Sequence, residues 1–233
     1  MDNAKYVSGI RFHGGVDKDS YLYNLPIIKF LRKNPELAFK SDVTFFVGEN
    51  GTGKSTLLEA IAVAFGFNAE GGTRNYQFST NETHSELWEH LALVKRDYAD
   101  RGFFLRAESL YNTATYMEQL GIGFLHEQSH GESFLSVIRD FRGKGLYILD
   151  EPEAALSPMR LLTLMVEMDT LVKEGAQFII ATHSPILMAF PGANILEFSD
   201  RGIQPVRYQD TEHYQITKQF LDNPEKMLHY LFR

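Results

Sequence analysis

Residues 48–56 read "GENGTGKST". The pattern G-x-x-x-x-G-K-[ST] is filled by Gly48, Gly53, Lys54 and Ser55, and each residue type there has a physical task. Glycines allow left-handed turns and bring backbone N–H groups against phosphate oxygens. Lys54 is a point charge for β- and γ-phosphates. Ser55 offers a hydroxyl to Mg²⁺, a hard cation that takes oxygen ligands. The rest of the loop, Asn50, Gly51, Thr52 and Thr56, is expected to wrap the same phosphates. The flanks suit this reading. "DVTFFVG" (Asp42 to Gly48) is a short apolar run closed by glycine, hence a buried strand. Thr56 to Phe65 is expected to be a helix, and its positive end would point at the anion.

A second stretch, "LYILDEPEAALSP", brings four apolar residues, Leu146 to Leu149, up to Asp150 and Glu151. Ligands of open α/β sheets bind at the carboxyl ends of strands. Asp150 therefore suits a Mg²⁺ contact, direct or indirect. Glu151 suits a general base that polarises an attacking water. His183 ends the next apolar strand, "AQFIIATHSP", 33 positions after Asp150, and suits a γ-phosphate sensor that also orients the water. Each residue has an ordinary reading too: an exposed lysine in a glycine turn, solvated carboxylates, a histidine satisfied under a Ser-Pro turn. Convergence of two strand ends on one phosphate loop favours the chemical reading.

The bulk properties bound the rest. The chain has 233 residues, 44% hydrophobic and 23% charged, as in ordinary globular proteins. Cysteine is absent, which excludes disulfides, thiolate catalysis and cysteine zinc sites and fits a reducing, cytoplasmic setting. No secretory signal or bilayer-spanning apolar run is visible, so no membrane role is expected. A net charge of −7 and a pI of about 5.6 give no support to a nucleic-acid surface.

"GFFLRAES" (Gly102 to Ser109) reads as a further buried strand, and Met159 to Leu171 as an amphipathic helix burying Leu161, Leu164, Met168 and Leu171. "THSELWEHLALVKR" reads as a helix with a Thr83–Glu86 capping box and Leu87, Leu91 and Val94 on one face. "YVSGIRFHG" alternates and is expected in an antiparallel flank. Thr211 to Arg233 is expected to be helical around Ile216, Phe220 and Leu228, which would pack on the core. Strands alternating with helices, and no linker between them, imply one α/β domain over 1–233 with a mixed, mostly parallel sheet.

Taken together, these motifs resemble the ABC-type ATPase head, a P-loop NTPase fold shared by transporters and by SMC-like and double-strand-break-repair ATPases. The likeness is nearest to small soluble bacterial ATPases of the ABC or AAA type. It covers roughly Val43 to Ser184, from Walker A through Walker B to a switch histidine. It implies ATP and Mg²⁺ as ligands, slow hydrolysis, and a head-to-tail homodimer sandwiching two ATP molecules. It puts Glu108 at the Q-loop place, where a Gln is usual, as a further Mg²⁺ contact, with Gln77 as a rival. "SHGES" takes the signature place: Ser129, His130, Gly131 and Glu132 would meet the γ-phosphate held by the partner, with His130 standing where a glycine is usual. Ser157 holds the D-loop place, where Asp is common. A short helical signature subdomain is expected over roughly 109–140. Only 21 positions separate Glu108 from Ser129, too few for a transporter-type helical subdomain. No heptad arms leave the domain.

One rival chemistry overlaps the signature. "HEQSH", His126 to His130, fits the zinc-protease pattern H-E-x-x-H. Gly121, Gly123 and Gly131 crowd it, and no third ligand follows in sequence. Three functions remain: an ATP-driven dimer switch first, a regulatory, defence or repair module whose ATP state gates an unidentified partner second, and a transporter energy subunit last. Tyr6, Phe12 and Tyr21 are candidates for stacking on adenine, with core packing the commoner role for such aromatics.

Overall fold

The computed structural model describes residues 4–73, 85–99, 101–106, 130–139, 141 and 143–232, without the side chains of 130–133. Six strands form the main sheet, in the order β5 (Arg101–Arg106), β6 (Gly145–Asp150), β7 (Gln177–Ala181), β3 (Val43–Gly48), β8 (Asn194–Ser199) and β9 (Gly202–Pro205). All neighbours are parallel except β8 and β9. A second sheet places β1 (Val7–Phe12) between β2 (Glu36–Ala38) and β4 (Leu91–Lys95), antiparallel to both.

The central strands are apolar throughout because both of their faces are buried. On β3, Val43, Phe45 and Val47 join one core and Phe46 the other. On β6, Tyr147 and Leu149 part from Leu146 and Ile148 in the same way. The first core contains β1, α1 (Pro26–Leu31) and α2 (Lys54–Phe65), whose Leu57, Leu58 and Ile61 are fully buried. The second contains α3 (His130–Arg139) and α4 (Pro158–Lys173), with Leu161, Leu164, Met168 and Leu171 facing inward as expected.

One polar side chain joins the two sheets. Gln177 is fully buried on β7. Its Oε1 accepts from the backbone N–H of Tyr6 and of Val7 at 2.8 and 2.9 Å, and its Nε2 donates to Val7 O at 2.7 Å. It thus satisfies three backbone groups that would otherwise be buried without partners.

Two expectations fail. The helix over 83–96 is instead a short 3₁₀ turn, Glu86–His90, followed by β4. Ser85 caps that turn, accepting from Leu87 N at 3.2 Å; Thr83 lies outside the described residues. Pairing with β1, from Leu91 opposite Phe12 to Lys95 opposite Val7, overrides the helical spacing. The tail is helical, as α6 (Glu212–Asp222) and α7 (Pro224–Leu231), but neither helix buries a residue. Ile216 is 50% exposed and Leu221 71%, so the tail is not core. Short elements that carry weak sequence signals, α1, α5 (Pro185–Met188), β2, β8 and β9, complete the fold. Residues 109–129 of the expected helical subdomain lie outside the described residues, and α3 is its described end.

Gln177→Leu keeps the volume but orphans three buried backbone groups. At about 1–3 kcal/mol each, it should lower the melting temperature by about 6 °C or more, read by thermal unfolding followed by circular dichroism. An unchanged melting temperature would show that the sheets do not depend on this bridge.

Candidate functional site

The carboxyl ends of β3, β6 and β7 lie side by side, with Ala181 paired to Phe46 on one flank and to Asp150 on the other. The strand pairing continues just beyond them. Glu151 N donates to Ala181 O at 3.0 Å, and Thr182 N donates to Phe46 O at 3.1 Å. The loop after β3 turns into α2 over this end. Gly48 has φ +124°, and a Cβ there would stand 2.0 Å from Phe198 O. Gly53 has φ +97° and abuts Ile27, where a Cβ would come within 2.3 Å of Cγ2. Only glycine fits both positions.

Asn50 and Gly51 form the exposed crest of the loop, and Thr52 is buried with its hydroxyl donating to Glu49 O at 2.8 Å. Lys54 is the first residue of α2 and is buried. Its ammonium folds back over the loop, donating to Gly48 O at 2.7 Å and Glu49 O at 2.9 Å. Burial lowers its pKa, and the carboxylates of Glu151, Asp150, Glu49 and Glu153 work against that shift. Ser55 and Thr56 follow, half-buried in the first turn.

Ser55 Oγ donates to Asp150 Oδ1 at 3.0 Å. Two cis ligands of an octahedral ion with bonds of about 2.1 Å stand about 3 Å apart. This hydroxyl and carboxylate therefore fit Mg²⁺ in donor type and spacing. Asp150 is also steadied by a cation that sequence reasoning missed. Arg106, at the end of β5, holds Glu59 Oε2 at 2.8 Å and sets its Nε 3.6 Å from Asp150 Oδ2. Glu59 in turn accepts from Ser85 N at 2.9 Å.

Glu151 adopts a left-handed conformation, φ 49° and ψ 53°. Such backbone in a non-glycine residue is held only by its surroundings and concentrates at functional sites. Two residues on, Glu153 accepts from Thr182 Oγ1 at 2.8 Å and from the backbone N–H of His183. Burial raises the Glu153 pKa, and these two donors oppose the shift. His183 Nε2 stands 3.5 Å from Glu151 Oε1 but makes no hydrogen bond among the described residues. Its Nδ1 lies 2.9 Å from His213 Nε2 in the first turn of α6. Burial lowers the His183 pKa, helped by Lys54 and His213 and opposed by Glu151 and Glu49. The ring is therefore neutral near pH 7.

Lys54, Ser55, Asp150, Glu151 and His183 thus share one strand-end cluster. Glu108, Gln77, Ser129 and His126 lie outside the described residues. His130, Gly131 and Glu132 are the first three residues of α3 as described. Ser157 precedes α4 without a side-chain cap. Of the stacking candidates, Tyr6 and Phe12 are core, 4% and 5% exposed, whereas Tyr21 is 64% exposed. The missed members differ in legibility. Glu153 was readable as a third carboxylate in "DEPE", whereas His213 sits 30 positions beyond His183 with no local signal.

Comparison with known proteins agrees with this geometry. Residues 27–133 match the family model described as "AAA domain". Residues 133–189 match the one described as "AAA domain, putative AbiEii toxin, Type IV TA system". No curated protein matches. Among solved structures, cbiO1 from Clostridium perfringens, part of the ABC transporter complex cbiONQ, is 16% identical with a TM-score of 0.50, over 98% of this chain and 100% of that one. The SMC head domain from Thermotoga maritima is 16% identical with a TM-score of 0.44, over 74% of this chain and 93% of that one. A dimeric bacterial ABC transporter cassette is likewise 16% identical, with a TM-score of 0.44, over 76% of this chain and 90% of that one. Two AAA-domain models thus match consecutive parts of the chain, from residue 27 to 189, and the likeness to cbiO1 over nearly the whole of both chains is a likeness of fold.

Proposed function

We propose that this protein binds Mg²⁺-ATP in its phosphate loop, hydrolyses it slowly, and uses an ATP-bound head-to-tail homodimer as a conformational switch. The observation that carries this reading is the meeting of Lys54, Ser55, Asp150, Glu151 and His183 at the carboxyl ends of three adjacent strands. Phosphoryl transfer needs positioning and charge stabilisation more than covalent chemistry, and this set offers both.

The loop amides and the Lys54 ammonium hold the triphosphate; Lys54 leaves its carbonyl partners for phosphate oxygens. Ser55 and Asp150 would hold Mg²⁺, which would supply positive charge to offset the negative charge of the phosphates. Glu151 takes a proton from water as the water oxygen bonds to the γ-phosphorus. The bond from that phosphorus to the β-phosphate bridging oxygen breaks, and ADP and phosphate leave. His183 donates to a γ-phosphate oxygen and steadies the water. His130, Gly131 and Glu132, the first residues of α3 as described, with Ser129 before them in sequence, would close the site of a second copy. Glu108 would serve as a further Mg²⁺ contact.

Glu151→Gln should reduce ATP hydrolysis about a hundredfold or more while keeping ATP binding. In ATP it should double in mass by light scattering, and in ADP it should not. Hydrolysis at the wild-type rate, or a monomer in saturating ATP, would refute the assignment. Lys54→Ala should abolish detectable ATP binding in equilibrium dialysis; full retention of affinity would remove the loop from the site.

A regulatory or defence role, in which the ATP state gates a partner protein, is the second reading. The family model over residues 133–189, whose description names a toxin–antitoxin system, favours it. So does the uncovered apolar surface of α6 and α7. Capture by Glu151→Gln in ATP, compared with wild type in ADP, tests it. A partner retained only on the ATP-locked protein supports gating, and equal capture in both states counts against it.

A further inference from the structure

His213 has no place in the motifs above, yet it touches the switch histidine. Its Nε2 lies 2.9 Å from His183 Nδ1, and the ring centroids are 5.0 Å apart. His213 is firmly held. Thr211, which caps α6, is fully buried; its hydroxyl donates to Tyr208 O at 2.8 Å and accepts from Tyr214 N at 3.3 Å. Tyr208 and Tyr214 meet edge to face with centroids 4.7 Å apart.

At 2.9 Å one ring nitrogen must donate and the other accept, so the contact fixes both tautomers. If His183 Nδ1–H donated, its Nε2 would turn a lone pair toward Glu151 Oε1, 3.5 Å away. His213 Nδ1, buried without a partner among the described residues, would then carry an orphaned N–H. If His213 Nε2–H donates, both faults vanish. His183 Nε2 becomes an N–H directed at the carboxylate side, and only an acceptor lone pair is left unpaired on His213, the more tolerated defect. Two separate observations, the carboxylate and the orphaned nitrogen, favour the same arrangement.

We infer that His213 is a positioning residue that locks His183 in the Nε2–H tautomer, so that the switch histidine presents a donor rather than a lone pair to the γ-phosphate and to Glu151. The inference rests on the proposed role of His183. It extends the ATP site to the C-terminal helices, because His213 belongs to α6 and the donor it supplies depends on where that helix starts.

The test uses His213→Leu, His213→Gln and His183→Ala in the full chain. Gln carries an amide N–H at nearly the reach of Nε2, whereas Leu fills the space without a donor. His213→Leu should lower kcat for ATP about tenfold with KM changed less than twofold, and His213→Gln should recover kcat to within about threefold of wild type. Leu at the wild-type rate, or Gln as slow as Leu with ATP binding intact, would overturn the inference. A second readout is independent of turnover. Nitrogen-15 chemical shifts of the imidazoles should show Nε2 of His183 protonated and Nδ1 bare in the wild type, and a mixture of tautomers in His213→Leu. A protonated Nδ1 in the wild type would overturn the inference outright. His183→Ala separates the two levels. Unchanged hydrolysis there would sink the assigned role of His183, while the nitrogen shifts would still decide whether His213 sets its tautomer.

Discussion

The site depends on the parallel pairing of β6, β7 and β3 carried to their last residues. Ala181 sits between Asp150 and Phe46, and one more hydrogen bond on each side holds Glu151 and Thr182 in line. Those bonds decide which side chains emerge at the strand ends. A slip of one residue in β7 would turn every side chain of that strand to the other face. Packing resists it, since Phe178 and Ile180 are fitted to one core and the smaller pair, Ile179 and Ala181, to the other. Packing on both faces of the sheet is therefore what aims the side chains at the strand ends. Beyond that, the cluster needs little more from the backbone than the glycine turn and the left-handed Glu151.

Around that frame the charges are arranged so that burial and pairing oppose each other. Lys54 is buried against two carbonyls of its own loop with four carboxylates nearby. Asp150 lies between the Ser55 hydroxyl and the Arg106 guanidinium. Glu153 is held by a hydroxyl and a backbone N–H rather than by a cation. An ammonium satisfied by neutral carbonyls can exchange them for phosphate oxygens and gain charge complementarity, so the loop is preorganised without being saturated. Glu153, gripped by the Thr182 hydroxyl and the His183 N–H, is placed as a strut that fixes the turn carrying His183.

Much of this was legible from local sequence. "TFFVG", "LYILD" and "QFIIA" are short apolar runs closed by glycine, a carboxylate or a turn, and strands buried on both faces must look like that. The phosphate loop is legible because its glycines answer to sterics that act within a few residues. What escaped was set by distant pairing. Leu87, Leu91 and Val94 have helical spacing, and only the opposing edge of β1 makes Leu91–Lys95 a strand. The tail has the pattern of an amphipathic helix and forms one, but periodicity cannot say whether its apolar stripe finds a surface. Arg106 carries no local signal of its role, because its part is set by residues far along the chain. Its partners Glu59 and Asp150 are 47 and 44 positions away in the chain.

The tail also shows how a weakly packed element can matter to a well-packed site. Helices of 11 and 8 residues with no buried side chain are too short to be stable on propensity alone. Their order must come from where they are attached. The attachment includes the buried Thr211 cap, the Tyr208–Tyr214 contact, the His213–His183 hydrogen bond and the Glu212 N–H to Glu197, all at the N-terminal root of α6. Coupling of this kind is reciprocal. If the root orders the helix, whatever changes the helix also changes the position of the His213 donor. Because His183 joins the strand-end cluster through Glu151 and, by its backbone, through Glu153, the least buried part of the fold bears on its most constrained part through the His213–His183 contact.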